Sequence, residues 1–293
     1  MKKVLVTGAT GFIGNYVINE LLDKGYNVVA TSRDKTKASF TKWFDKVKYI
    51  PFDLKSWQSD RDYYSFFENP DLLIHLAWEG LPNYKMPFHV EENLPSHFRF
   101  LSNLIHYGLK DLTVAGTCFE YGMQEGLLNE EMPAKPSNYY AIAKNSLREK
   151  LVQLQESQKF QLKWVRLFYM FGDGQNPNSL FSQLMGALER GDKVFNMSPG
   201  DQLRDFLEIN KVAEYIVAIA EQNKVTGIIN CCSGKPIEVK KFVIDLLREK
   251  DATIELNPGY YPYSDLEPRN FWGDTSKLKT ILLNGKKDSR LPS

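Results

Sequence analysis

Tyr140 and Lys144, in Tyr140-Ala-Ile-Ala-Lys144, are separated by three residues, so a helix sets a phenol and an ammonium one turn apart on one face. Such pairs are common helix-surface contacts, and this one gains meaning from the segment that opens the chain, Met1-Lys-Lys-Val-Leu-Val-Thr-Gly-Ala-Thr-Gly-Phe-Ile-Gly14. That segment has the pattern of a buried strand, a glycine turn and a helix start, the geometry that holds a dinucleotide pyrophosphate. One motif positions a nicotinamide cofactor and the other moves a proton beside it, which is redox chemistry on an alcohol or ketone. A free tyrosine, with a pKa of about 10, is a poor acid or base at neutrality. Lys144 and the positive charge of an oxidised nicotinamide are expected to lower it, so that Tyr140 protonates an alkoxide or deprotonates an alcohol. Thr117, in Val114-Ala-Gly-Thr-Cys-Phe-Glu-Tyr-Gly122, either bonds the substrate oxygen beside Tyr140 or caps a turn.

In the cofactor segment Gly8, Gly11 and Gly14 divide the work. One makes the tight turn, one admits backbone N–H groups to phosphate, and one allows the helix to pack closely on the strand. Thr10, Phe12 and Ile13 lie between them and are expected to line the cofactor. An acid at the end of the second strand bonds a ribose 2′-hydroxyl, and a base there accommodates a 2′-phosphate. Val28-Val-Ala-Thr-Ser32-Arg33 has no acid at its end, so Ser32 and Arg33 favour NADP(H) over NAD(H). A merely solvated Arg33, with Asp34 swinging in, is the alternative. Asp53, followed by Leu54, either receives the adenine amino group or forms a turn.

The elements that must carry these residues alternate along the first half. Strands are expected at Val4–Val6, Asn27–Thr31, Val47–Ile50, Leu72–Leu76, Leu112–Ala115 and Leu162–Leu167. Helices are expected at Phe12–Lys24, Leu94–Tyr107 and Tyr139–Leu154. This predicts an α/β, Rossmann-type doubly wound parallel sheet covered on both faces. Beyond it come the loop Gly172–Asn178, a helix over Leu180–Leu188, helix and strand between about Asn210 and Cys231 that return to the sheet, and a helix from Ile237 leading to a Pro/Tyr-rich tail. The division expected is a dinucleotide-binding domain over 1–170 and about 205–233, and a smaller α/β substrate-binding domain over about 171–204 and 234–293.

The bulk properties narrow the class. A net charge of +1 provides no basic face for nucleic acid. Three cysteines, two of them the adjacent Cys231 and Cys232, argue against a disulfide framework and for a reducing compartment. The apolar run after Lys2-Lys3 is too short for a signal peptide and no stretch approaches a membrane span, so a soluble cytoplasmic protein without a membrane partner is expected. His75 reads as a packed strand residue. His89, His97 and His106 form no metal-like cluster with the cysteines, and no metal is expected.

At these residues the chain resembles the extended short-chain dehydrogenase/reductase family, in the branch that acts on nucleotide-diphosphate sugars. The resemblance runs nearly end to end, through Thr7–Gly14, Asp71-Leu-Leu-Ile-His-Leu-Ala77, Asn93, Thr117–Gly122, Tyr140–Lys144, Arg204-Asp-Phe206 and Asp274-Thr-Ser-Lys277. It implies Thr117, Tyr140 and Lys144 as the catalytic trio, with Leu76 and Ala77 lining the cofactor. It implies Arg204 as a ligand of the sugar-nucleotide diphosphate, which suits a guanidinium, against the alternative of a structural ion pair with Asp205. It also implies a homodimer built on helices Leu94–Tyr107 and Tyr139–Leu154, and a place in cell-surface polysaccharide biosynthesis. Trp78, where a small residue is usual, Tyr169, where the family has Asn, and Asn178 are further substrate-binding candidates. For Trp78, packing under the loop that follows it is the alternative.

Departures from the family pattern narrow the reaction. Hexose 4,6-dehydratases carry an Asp-Glu pair after the catalytic Thr, where this chain has Cys118 and Phe119. Reductases that also epimerise C3 and C5 place a Cys two residues after the catalytic hydroxyl, where Phe119 stands. A plain 4-ketoreductase and a C4 epimerase remain. With Ser32-Arg33 favouring NADPH, the expectation is NADPH-dependent reduction of a nucleotide-diphosphate 4-keto-6-deoxyhexose, with Tyr140 as general acid. An NAD-dependent 4-epimerase is the alternative, and a non-catalytic NADP-binding regulator the alternative of another class.

Overall fold

The computed structural model describes residues 2–288. The elements in chain order are β1 (Lys3–Thr7), α1 (Phe12–Asp23), β2 (Asn27–Thr31), α2 (Lys35–Ser39), β3 (Lys48–Tyr49), α3 (Tyr63–Phe66), β4 (Leu72–His75), α4 (Leu94–Tyr107), β5 (Asp111–Thr117), β6 (Gly126–Leu128), α5 (Tyr139–Leu154), β7 (Gln161–Leu167) and β8 (Tyr169–Phe171). They continue with α6 (Leu180–Arg190), β9 (Val194–Met197), β10 (Leu203–Glu208), α7 (Ile209–Glu221), β11 (Gly227–Cys231), β12 (Pro236–Glu238), α8 (Val239–Glu249), β13 (Glu255–Pro258), β14 (Phe271–Gly273) and α9 (Ser276–Asp288). Among the described residues, seven strands form one sheet in the order β11-β7-β5-β4-β1-β2-β3, and every pairing in it is parallel.

Strand residues alternate between the two faces. Val4 and Val6 of β1 join the core under α1 and α7, with Val17, Ile18, Ile216 and Val217. Leu5 points the other way and packs with Phe100, Leu104, Leu147 and Leu151 of α4 and α5. Helices thus cover both faces, as a buried parallel sheet requires. The chain order reverses between β1 and β4, and the crevice beyond the carboxyl ends of strands at such a switch point is where ligands bind. The register brings Thr7 level with Thr31 and His75.

Helices α4 and α5 span the residues expected of them, whereas the third strand contracts to Lys48–Tyr49. Beyond the large sheet, β8, β10 and β12 form a three-stranded sheet, and β9 pairs with β13. A separate apolar cluster there includes Phe181, Leu184, Phe242 and Val243, and Phe206 stacks on Phe242 at 3.9 Å. These strands are too short to show alternation, so composition alone read the region as loop and helix. Among the described residues, no helix is long and apolar enough to cross a membrane.

Gly14 is where α1 meets the turn most closely. A Cβ built there would lie 2.3 Å from the Gly8 carbonyl oxygen and 2.8 Å from that of Ala9. Both are backbone atoms, so a side chain forces the helix away from β1. Gly14→Ala is expected to cost about 1–3 kcal/mol, read as a lower midpoint in urea denaturation.

Candidate active site

The glycine turn is held by the Gly11 N–H donating to the Gly8 carbonyl at 2.9 Å. Gly8 has a φ of +70°, and a Cβ on it would fall 2.8 Å from the Ala77 nitrogen. The turn therefore presses against the end of β4, and only glycine fits. Two cavities meet at this turn. The first, about 370 Å³, runs from Thr7, Gly8, Thr10 and Gly11 past Ser32 and Arg33 to Leu54, Leu76 and Ala77. The second, about 430 Å³, runs from Phe12, Ile13 and Gly14 to Thr117, Tyr140 and Tyr169. Their shared wall includes Gly8, Gly11, Leu76 and Trp78. A backbone cradle that any Cβ would fill, at the amino end of α1, suits a dinucleotide pyrophosphate.

Asp53 is turned away from the first cavity. Its carboxylate accepts from the Lys55 N–H at 2.9 Å and caps a short turn, so the turn-forming alternative holds there. Asn178 is exposed and its N–H is taken by the Asn176 side chain; Gln175 and Asn176 reach the second cavity in its place. Arg33, expected to favour NADP(H), has its Nη1 2.7 Å from Glu79 Oε1, so this cation is paired with a carboxylate.

Tyr140 and Thr117 both line the second cavity, delivered by the first turn of α5 and the end of β5. Asn138 caps α5 by accepting from the Ala141 N–H at 2.9 Å, which fixes where the helix starts. Lys144 lies on the same helix but donates to the Ala115 carbonyl at 2.8 Å, and its Nζ sits 4.1 Å from the centre of the Trp78 ring. Burial pushes Lys144 down to about 7. Burial raises the Tyr140 phenol, Tyr84 and Glu120 add to the rise, and the Thr117 hydroxyl works against it. Tyr140 therefore rests protonated.

Beneath Thr117 lies Glu120, a residue whose role the sequence did not reveal. It is fully buried and accepts from the Thr117 N–H at 2.9 Å, from Trp164 Nε1 at 2.9 Å and from Arg166 Nε at 2.9 Å. Arg166 is equally buried and lies 4.2 Å over the Tyr121 ring. This ion pair sets the backbone that presents Thr117.

Trp78 lines both cavities and also has structural contacts. Its ring stacks on His97 at 4.5 Å, and its Nε1 donates to His89 Nδ1 at 3.1 Å. A buried chain continues from there. Thr7 Oγ1 accepts from the Leu76 and Ala77 N–H groups at 3.2 and 3.3 Å, so its own proton goes to His75 Nδ1, 2.8 Å away. His75 then carries its proton on Nε2 and donates to His97 Nδ1 at 2.8 Å. Both imidazoles are held neutral.

On the substrate side, Arg204 reaches the Leu203 and Arg269 carbonyls at 2.8 Å and Glu267 Oε1 at 2.7 Å. The expected alternative of a pair with Asp205 is not formed, because Asp205 accepts from the Ser233, Gly234 and Gly273 N–H groups. Burial pushes Glu267 up to about 7. Arg204, Glu267, Tyr84 and Tyr169 line a third cavity, beside the second. Glu79, Glu267 and Tyr84 have no local motif and are recruited across the fold, which is why spacing did not expose them; Glu120 closes a capping box with Thr117, a local Thr-x-x-Glu signal that could have marked it.

The family model described as NAD dependent epimerase/dehydratase family matches residues 4–232. The chain belongs to this family. Among curated relatives, it is 32% identical to the dTDP-6-deoxy-L-talose 4-dehydrogenase (NAD(+)) of Aggregatibacter actinomycetemcomitans, over 92% of this chain and 98% of that protein. It is 28% identical to the GDP-6-deoxy-D-talose 4-dehydrogenase of the same organism, over 96% and 92%. Among solved structures, UDP-glucuronic acid 4-epimerase from Bacillus cereus in complex with UDP-glucuronic acid and NAD superposes with a TM-score of 0.82 at 24% identity, covering 96% of this chain and 93% of that one. The Rossmann-type fold is shared with that structure.

Two measurements test this site. Glu120→Ala leaves Arg166 buried without its partner, which is expected to cost about 3–5 kcal/mol, measured by chemical denaturation. Burial lowers His75 to about 3 and His97 well below its ordinary value. Between these values and about 6.5 the unfolded chain binds more protons than the folded one, so this stability is complete above about 6.5 and is lost as pH falls. The melting temperature of the wild type is expected to fall between pH 6.5 and 4, with a shallower slope in His75→Phe/His97→Phe whatever its absolute stability.

Proposed function

We propose that this protein catalyses NAD(H)-dependent, reversible oxidoreduction at C4 of a nucleotide-diphosphate 6-deoxyhexose, dTDP being the favoured nucleotide. The observation that carries this is Thr117 and Tyr140 side by side in one cavity with the glycine turn, with the apolar Phe119 and the buried thiol of Cys118 at the places that would need a second acid and base. Burial raises the Cys118 thiol far above neutrality, so it supplies no base for water loss or for epimerisation at C3 or C5. The 32% relative named a dTDP-6-deoxy-L-talose 4-dehydrogenase, aligned over nearly all of both chains, supports the sugar and the nucleotide.

In this reading Gly8, Gly11 and Gly14 cradle the pyrophosphate, and Leu76, Ala77 and Ser32 line the adenosine half. NAD supplies the hydride acceptor or, when reduced, the donor. The Thr117 hydroxyl orients the C4 oxygen. Tyr140 as the phenol gives its proton to the developing alkoxide in the reduction direction and is left as the phenolate; in the oxidation direction it must first lose its proton to solvent, and the phenolate then takes the proton of the 4-hydroxyl. Lys144 keeps its ammonium behind Trp78, where its charge favours the phenolate as it forms. Arg204, released from Glu267, would bind the diphosphate, and the lobe over about 171–204 and 234–293 would hold the nucleotide sugar. A homodimer through α4 and α5 belongs to the same proposal.

The 4-epimerase reading is favoured by one observation: with Glu79 on Arg33 the ground for NADPH is removed, and a resident NAD suits C4 epimerisation. Absorbance at 340 nm with dTDP-6-deoxy-L-talose and NAD⁺ separates the two. A dehydrogenase accumulates NADH, and Tyr140→Phe lowers the rate by about 10²–10⁴. An epimerase accumulates none and releases NAD only on denaturation, an outcome that overturns the first reading.

A further inference from the structure

The cofactor-selecting position at the end of β2 holds Ser32 and Arg33, yet the charge pattern around it is not that of a 2′-phosphate site. Arg33 Nη1 is 2.7 Å from Glu79 Oε1, and Lys55 Nζ is 3.4 Å from Glu79 Oε2. Lys55 also touches Glu92 at 3.4 Å. Asp34 and Lys37 line the same cavity, with Arg33 and Glu79. Asp34 caps α2, accepting from the Lys37 N–H at 2.9 Å. Three cations and three carboxylates therefore gather at this rim, and they leave no surplus positive charge for a phosphate dianion. Glu79 is the member that faces inward: its side chain keeps only 23% of its exposure, against 58% for Arg33.

We propose that Glu79, from the loop after β4, performs the task that an acid at the end of β2 usually performs, and thereby makes the site selective for NAD(H). The proposal rests on reading this cavity as the adenosine end of a dinucleotide site. Its carboxylate has the acceptor chemistry that a ribose 2′-hydroxyl seeks, and it holds the guanidinium that a 2′-phosphate would need. A phosphate brought against Arg33 would meet the Glu79 carboxylate on the same group, a like-charge contact that discriminates by repulsion. Arg33 is thus a counter-ion that holds Glu79 in place. The exposed ion pair contributes little to stability, so its removal changes selectivity without unfolding the protein.

The test is calorimetric titration of the full chain with NAD⁺ and with NADP⁺, in the wild type, Glu79→Gln, and Glu79→Gln/Arg33→Ala, with circular dichroism confirming the fold of each. The wild type is expected to bind NAD⁺ at least about tenfold tighter than NADP⁺. Glu79→Gln should weaken NAD⁺ and strengthen NADP⁺, moving the ratio by about tenfold or more, and the gain on NADP⁺ should vanish when Arg33 is also removed. A wild type that prefers NADP⁺, a ratio that moves less than about twofold in Glu79→Gln, or a gain that survives loss of Arg33 overturns the role of Glu79 while leaving the cavity a dinucleotide site. Binding of neither dinucleotide to the wild type overturns that site and the proposal with it.

Discussion

Thr7 Oγ1 collects the amides of Leu76 and Ala77 while its own proton goes to His75, and this binds the end of β1 to the end of β4 at the switch point of the sheet. The missing Cβ of Gly8 lets the two backbones lie against one another. From that contact follow the direction of α1, the cradle at its amino end and the wall that Leu76, Ala77 and Trp78 give to both cavities. The neutral His75–His97 pair extends it under Trp78, whose indole stacks on the His97 ring. Cofactor cradle and substrate wall are two sides of one junction.

The second constraint is electrostatic and lies under β5. A fully buried carboxylate is tolerable only with partners, and Glu120 has Arg166, Trp164 and the Thr117 amide. Its charge reaches the reacting groups: it adds to the rise of Tyr140 and opposes the desolvation of Lys144. The phenol is thereby protonated, and the ammonium is held by the Ala115 carbonyl and the Trp78 face. Tyr-x-x-x-Lys describes a helix face and is silent on how deeply both groups are buried, so spacing did not show the raised phenol or the lowered ammonium.

What was legible in the sequence follows the range of the interactions. The doubly wound sheet was readable because β1, β2, β4 and the helices between them carry period and punctuation: glycine at 8, 11, 14 and 25, and apolar positions at helical spacing in α1 and α4. Thr117 and Tyr140 were readable because motif and strand end coincide, and the cavity brings them together. The three- and four-residue strands β8, β9, β12 and β13 were not, since so short a run shows no alternation. Nor were the pairings of Arg33 with Glu79 and Arg204 with Glu267, which join distant loops. Asp53 shows the limit within a short range, because an Asp after a strand serves a turn as readily as an adenine.

Arg33 illustrates why a charge at a diagnostic position does not by itself define its ligand. A guanidinium attracts a phosphate in proportion to the charge it still has to offer. Glu79 takes one oxygen to Arg33 and the other to Lys55, so the local field is that of paired ions. The same reasoning holds across the molecule at Arg204, which in this structure is engaged by Glu267 and two carbonyls. There the partner is a carboxyl raised by burial, less costly to displace than one at its ordinary value. Both arginines are thus paired in this structure, Arg33 at an exposed rim and Arg204 in a buried setting, and the charge each presents is set by a carboxylate from a distant loop.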